Sequence, residues 1–181
     1  MNRKILVSLL VGASLAGAFP LVAHASIEPE KIHSSEGRKT DLYISDGIFS
    51  GGDHAQQDVI VRGIRRAANP KYERIVIDIA GNSAGEPTDL SHLPYYQVAV
   101  SPENHRLTVT IWGKPKLAFD SRKVVREFKR SPVISQIALL PQVNPTSWTF
   151  AMQLKSDHPA EVFQLSSPAR IIIDIRRGKD H

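Results

Sequence analysis

The 181-residue chain contains no cysteine. Disulfide cross-links and thiol chemistry are therefore excluded, and the fold must be held together by packing. Metal-ligand spacing is also missing. The seven histidines are scattered, with His24 in the N-terminal apolar segment and His33, His54, His92, His105, His158 and His181 in loops and tails, so no metal site is expected. Ser166 and Ser167 precede Pro168 without the strand-turn-helix context of a nucleophile elbow. Gly51-Gly52 likewise lacks the pattern of a P-loop or dinucleotide fold, and no cofactor is expected.

What the chain does carry begins with a leader. Met1 to Ala25 combines a basic start (Arg3, Lys4), an apolar run from Ile5 through Phe19, and Ala23-His24-Ala25 before Ser26. This predicts a cleaved signal peptide and an exported, periplasmic protein. Glycines, a proline and Ser14 interrupt the segment, which weakens the rival reading as an uncleaved anchor, and no transmembrane span is expected after cleavage. Removing 25 of 181 residues leaves 156, one domain's worth of chain. The formal charge of +5 falls to +3 with the loss of Arg3 and Lys4, too mild for a nucleic-acid partner but compatible with an anionic envelope polymer.

The most informative feature is a repeat. RIVIDI at Arg74 to Ile79 returns as RIIIDI at Arg170 to Ile175, ninety-six residues later. Strand parity puts Ile75, Ile77 and Ile79 on one face and Arg74, Val76 and Asp78 on the other, and the second copy follows the same rule. The chain therefore reads as two similar β halves. Asp78 and Asp174 could be taken as a carboxylate pair for glycosidic acid/base work. The structural alternative is preferred: Arg74 with Asp78 and Arg170 with Asp174 share a strand face, so local charge compensation explains both aspartates.

Elsewhere the pattern is of short strands between Pro-marked turns, the signature of an all-β sandwich. Residues 26–58 are polar and read as a tail or linker that could add one edge strand, and the ordered domain is placed at 59–178. VIVRGIRR and ERIVIDIAG are expected to form a hairpin through Asn69-Pro70. A second hairpin pairs Tyr95–Val100 with Arg106–Trp112, with Leu107, Val109 and Ile111 inward and Trp112 outward. In SWTFAMQLK the same parity makes Trp148 a core residue. Ser121 to Arg130 is the one segment with helical spacing (Val124, Val125, Phe128), with Ser121 as its N-cap.

The run from VRGIRR (61–66) through YERIVIDIAG (72–81), with the closing DHPAEVFQLSSPARIIIDIRRG (157–178), resembles the AMIN and AMIN-like domains. These are targeting modules of periplasmic N-acetylmuramoyl-L-alanine amidases that recur in type IV pilus secretins. The resemblance is strongest where Phe163-x-Leu165-Ser166-x-Pro168-x-Arg170 enters the final Asp-containing alternation, and it spans Val59 to Gly178. It implies two small symmetry-related sheets and binding at the envelope, most often to peptidoglycan. The sequence ends at His181 without the amidase or secretin domain that such modules usually precede, so no enzymatic activity is carried over. Ser121 to Arg130 has no counterpart in the family pattern.

Two surfaces are candidates for recognition. Tyr95, Arg106 and Trp112 should project from one face of the second hairpin, an aromatic, cationic and hydroxyl-rich platform suited to sugar rings unless another part of the chain covers it. Arg122, Lys123, Arg126, Lys129 and Arg130 form a basic strip that could meet phosphate or carboxylate groups, or simply be a solvated helix face. The leading expectation is a non-enzymatic, exported module that binds peptidoglycan through an exposed sheet face. The rivals are an adaptor for an envelope protein complex, using residues 26–58 as the partner-binding segment, and a glycan-acting enzyme.

Overall fold

The computed structural model describes residues 32–35 and 39–178, so the expected leader (1–25) lies outside the described residues. Twelve strands and one helix follow one another: β1 (Ile32–Ser34), β2 (Gly47–Gly51), β3 (Val59–Ala68), β4 (Tyr72–Ser83), β5 (Glu86–Thr88), β6 (Tyr96–Ser101), β7 (Arg106–Trp112), β8 (Lys116–Leu117), α1 (Ser121–Phe128), β9 (Ile134–Leu139), β10 (Ser147–Leu154), β11 (Ala160–Ser166) and β12 (Ala169–Arg176). One sheet has the order β1-β2-β6-β7-β10-β9. The other runs β11-β12-β4-β3-β8, with β5 added beside β4. Their inner faces meet in one core in which Val98, Val109, Phe150 and Met152 of the first sheet join Val61, Ile75, Ile77, Ile171 and Ile173 of the second. The all-β sandwich with one short helix is thus the observed architecture.

Parity sets the faces of the second hairpin as expected. Tyr96 pairs with Ile111, Val98 with Val109 and Val100 with Leu107, all six buried, while Gln97, Thr108, Thr110 and Trp112 are half-buried on the outer side. Trp148 is in the core at 1% exposure. The hairpin of β3 and β4 also forms, its turn closed by Asn69, whose backbone N–H donates to Tyr72 O and whose side-chain oxygen accepts from Lys71 N.

Three expectations need correction. The copies of the repeat do not sit in separate halves: β4 and β12 are antiparallel neighbours in one sheet, with Ile75 opposite Ile173 and Ile77 opposite Ile171. The described part of residues 26–58 is not merely a tail, because β2 pairs with β6 along Gly47–Val100 to Gly51–Tyr96 and buries Phe49 in the common core. The alternation there is only a few residues long, too short to distinguish a linker from an interior strand without its partner. The helix is capped by Asp120 rather than Ser121. The Asp120 Oδ1 accepts from Arg122 N at 2.8 Å and Lys123 N at 3.1 Å, satisfying two of the amide groups that a first helical turn leaves unpaired.

The helix buries Val124 and Phe128 and packs against β3 and β9. It thereby closes the flank where the edge strands β8 and β9 of the two sheets lie.

Candidate functional site

The outer face of the first sheet is built by alternation from Gln97 and Ala99 on β6, Thr108 and Thr110 on β7, and Thr149 and Ala151 on β10. These side chains are half-buried and uncharged, and the hydroxyls of Thr110 and Thr149 lie 3.0 Å apart across the strands. At one end the face carries aromatic rings. Tyr95 and Trp112 stand with centroids 5.1 Å apart, and the Trp112 backbone N–H donates to the Tyr95 backbone carbonyl at 3.0 Å. The Gln97 amide donates to the Tyr95 hydroxyl at 2.7 Å, fixing the phenol ring.

A third ring covers one face of Tyr95. His54 stacks on Tyr95 with centroids 3.7 Å apart and planes inclined by 23°. It is held there by a loop clamped to the start of β6: Asp53 N donates to Leu93 O at 2.8 Å, and Tyr95 N donates back to Asp53 O at 3.0 Å. The clamp depends on Gly52, whose φ is +78° and where a Cβ would stand 2.1 Å from Pro94 O. Only a residue without a side chain fits that approach. Sequence reading overlooked His54, and the one signal of its position was the Gly51-Gly52-Asp53 turn before it.

Arg106 shares the outer face but not the site. Six steps along the strand separate it from Trp112, about 20 Å at the rise of an extended chain. The expected Tyr95, Arg106 and Trp112 platform therefore divides into an aromatic end, with His54 as its third member, and a distant exposed cation.

The second sheet carries the charged face. Antiparallel register places Arg74 opposite Asp174 and Arg170 opposite Asp78, so each arginine meets the other copy's aspartate. Pairing within one copy, as expected from sequence, is impossible because four residues of strand span about 13 Å. Arg74 grips Asp174 with two bonds of 2.7 and 2.8 Å, and Lys39 Nζ adds a third at 3.0 Å. Asp174 is wholly buried. Asp78 accepts from Arg65 at 2.7 and 3.1 Å and from Arg170 at 3.0 Å.

Burial alone would raise the Asp78 carboxyl, but the hydrogen bonds and charge of Arg65, with those of Arg170, hold it below the usual carboxylate range. Burial lowers the Lys39 ammonium, and hydrogen bonds to Asp174, Tyr43 and Asp41 outweigh it, leaving the group above its ordinary value. Residues 39–41 are strapped to the sheet by Glu161, which is 2% exposed and accepts from Thr40 N at 2.5 Å and Asp41 N at 2.7 Å. Val76, Phe163 and Ile172 form a small buried cluster on this outer face, with the Arg74 guanidinium 5.4 Å from the Phe163 ring.

The basic strip is on α1 and the residues after it. Arg122, Lys123, Arg126, Lys129 and Arg130 are exposed. Lys123, Arg126 and Arg130, with Arg66 and Glu127, line a hollow of about 490 Å³. Arg66 is committed to the fold: it donates to Glu127 O at 3.1 Å and Arg130 O at 2.8 Å, and it pairs with buried Glu73 at 2.8 Å. Among the described residues no group of three or more His, Asp or Glu side chains could hold a metal ion. His105 instead bonds Asp157 at 2.6 Å, and His158 bonds Arg176 O at 2.9 Å.

The fold and these faces define a two-sheet β-sandwich with one charged, ion-paired face and one whose centre is uncharged and whose two ends carry the aromatic rings and Arg106. No protein-family model matches the chain, and no curated protein matches it.

Proposed function

We propose that this is an exported, non-enzymatic envelope-binding module whose outer face on the first sheet binds a glycan, with peptidoglycan as the ligand. The observation that carries this reading is the platform of His54, Tyr95 and Trp112 continued by Gln97, Thr110 and Thr149. Rings of this kind stack on the CH faces of sugars, while amide and hydroxyl groups exchange hydrogen bonds with sugar hydroxyls. The AMIN-like pattern of residues 61–81 and 157–178 points the same way.

Both repeat aspartates have their oxygens occupied by arginine, which favours binding over acid/base chemistry at those positions. The adaptor reading loses part of its basis, since the described residues of the 26–58 segment are already engaged with the two sheets.

The test is co-sedimentation of the chain beginning at Ser26 with insoluble peptidoglycan sacculi. Trp112→Ala and Tyr95→Ala should each weaken pelleting at least about fivefold, since stacking contacts are worth roughly 1–3 kcal/mol apiece. A protein left in the supernatant at low and moderate salt, or variants that pellet like the parent, would refute the reading.

A further inference from the structure

Six large aliphatic side chains are exposed among the described residues, and three of them, Leu117, Leu140 and Val143, lie on one flank. Leu117 ends β8, the edge of the second sheet, and Leu140 directly follows β9, the edge of the first. The loop bearing Val143 is tied to the segment before β8: Gln142 Nε2 donates to Pro115 O at 3.1 Å, and Lys114 N donates to Thr146 O at 3.2 Å. Trp148 Nε1 donates to Leu140 O at 2.9 Å, and its ring meets that of Phe119, next to the cap of α1, at 5.8 Å. Trp148 thus links Leu140, at the end of β9, to Phe119 just before the helix. Val143 is 93% exposed, so its side chain adds nothing to the core.

The same flank holds the chain's excess charge. Residues 114–130 include seven Lys and Arg against Asp120 and Glu127, an excess of five that equals the formal net charge of +5 for the whole chain. Asp120 is occupied in capping the helix. Among the described residues none of the seven cations forms an ion pair. A soluble polyanion would satisfy the cations but has no use for protruding aliphatic groups. Exposed aliphatics beside unpaired cations match a surface that offers acyl chains and phosphates together.

We infer that the flank formed by α1, β8 and the 140–146 loop is a peripheral docking surface for an anionic lipid bilayer. Val143, Leu140 and Leu117 enter the headgroup boundary while the lysines and arginines of 114–130 meet the lipid phosphates. The inference does not rest on the glycan reading. The two surfaces adjoin at the Trp112 to Lys114 end but use different side chains.

Sedimentation of the chain beginning at Ser26 with vesicles tests it. That chain contains every described strand and omits the apolar leader. Vesicles of phosphatidylcholine with phosphatidylglycerol should retain the protein at least about tenfold better than phosphatidylcholine alone, with retention falling as salt rises. Val143→Asp should weaken retention about tenfold and leave pelleting with sacculi unchanged. Arg122→Glu with Arg126→Glu should weaken it further, each lost cation counting for about fivefold. All three substituted side chains are exposed, and an unchanged far-ultraviolet dichroism spectrum checks the fold of each variant. Failure to bind anionic vesicles at low salt, equal binding to neutral ones, or a Val143→Asp variant that binds like the parent would overturn the proposal. The last result, together with competition by soluble polyphosphate, would reassign the flank to a polyanion.

Discussion

Replacing Arg74 by Met removes the two-pronged partner of a carboxylate that has no contact with water. Asp174 would keep only Lys39 at 3.0 Å, having lost the bonds of 2.7 and 2.8 Å. Breaking a buried pair from one side costs about 3–5 kcal/mol. The Arg74 side chain is 32% exposed and Lys39 remains, so the expected loss is nearer 2–3 kcal/mol. The equivalent change in the second copy, Arg170→Met, should be milder. Asp78 is 27% exposed and keeps both bonds from Arg65, which leaves a cost of about 0.5–1 kcal/mol.

Urea unfolding followed by tryptophan fluorescence, with buried Trp148 as the reporter, reads the difference. At a slope of about 2 kcal/mol per molar urea, Arg74→Met should lower the midpoint by about 1–1.5 M and Arg170→Met by about 0.25–0.5 M. Combining Arg74→Met with Asp174→Leu should recover most of the loss, because an apolar pair can replace a buried ion pair at little or no cost. Equal effects of the two single substitutions, or a double variant no better than Arg74→Met, would refute the reasoning.

Gly52→Ala should lower stability by at least about 3 kcal/mol, combining left-handed strain with the displacement of Pro94 O, and reduce the thermal midpoint by about 6–12 °C. Gly85→Ala, also at positive φ but with open space around it, should cost only about 1–2 kcal/mol and serves as the comparison in the same melts. For Asp78, a folded pKa below the unfolded one contributes stability that is present above the unfolded value of about 3.9 and is lost as pH falls through the folded value. The gap in urea midpoint between the parent and Asp78→Asn should therefore be constant from about pH 5 to 7 and close below about pH 4. A gap that widens on acidification would contradict the Arg65 and Arg170 assignment.

How much of this was legible in the sequence depended on how local the cause was. Period-two alternation assigned Leu107, Val109 and Ile111 to the core and Trp112 to the outer face, because a pleated strand turns successive side chains to opposite sides whatever lies beside it. The spacing of Val124 and Phe128 revealed the helix, though the cap went to Asp120, one residue earlier, whose carboxylate reaches two amides. His54 was missed because its role depends on a contact between two loops 41 residues apart. The alternation around Phe49 spanned too few residues to show that an interior strand was there.

Sequence by itself determined that the protein is all-β, that Trp148 is buried and Trp112 is not, and that two RI[VI]IDI strands each present isoleucine on one side with arginine and aspartate on the other. Tertiary structure decided that those strands are neighbours, and that Arg74 answers Asp174 and Arg170 answers Asp78. The division has one physical cause. Which way a side chain points follows from the chain's own pleat, but what it meets follows from register between strands nearly a hundred residues apart, which only the packed sheet can set.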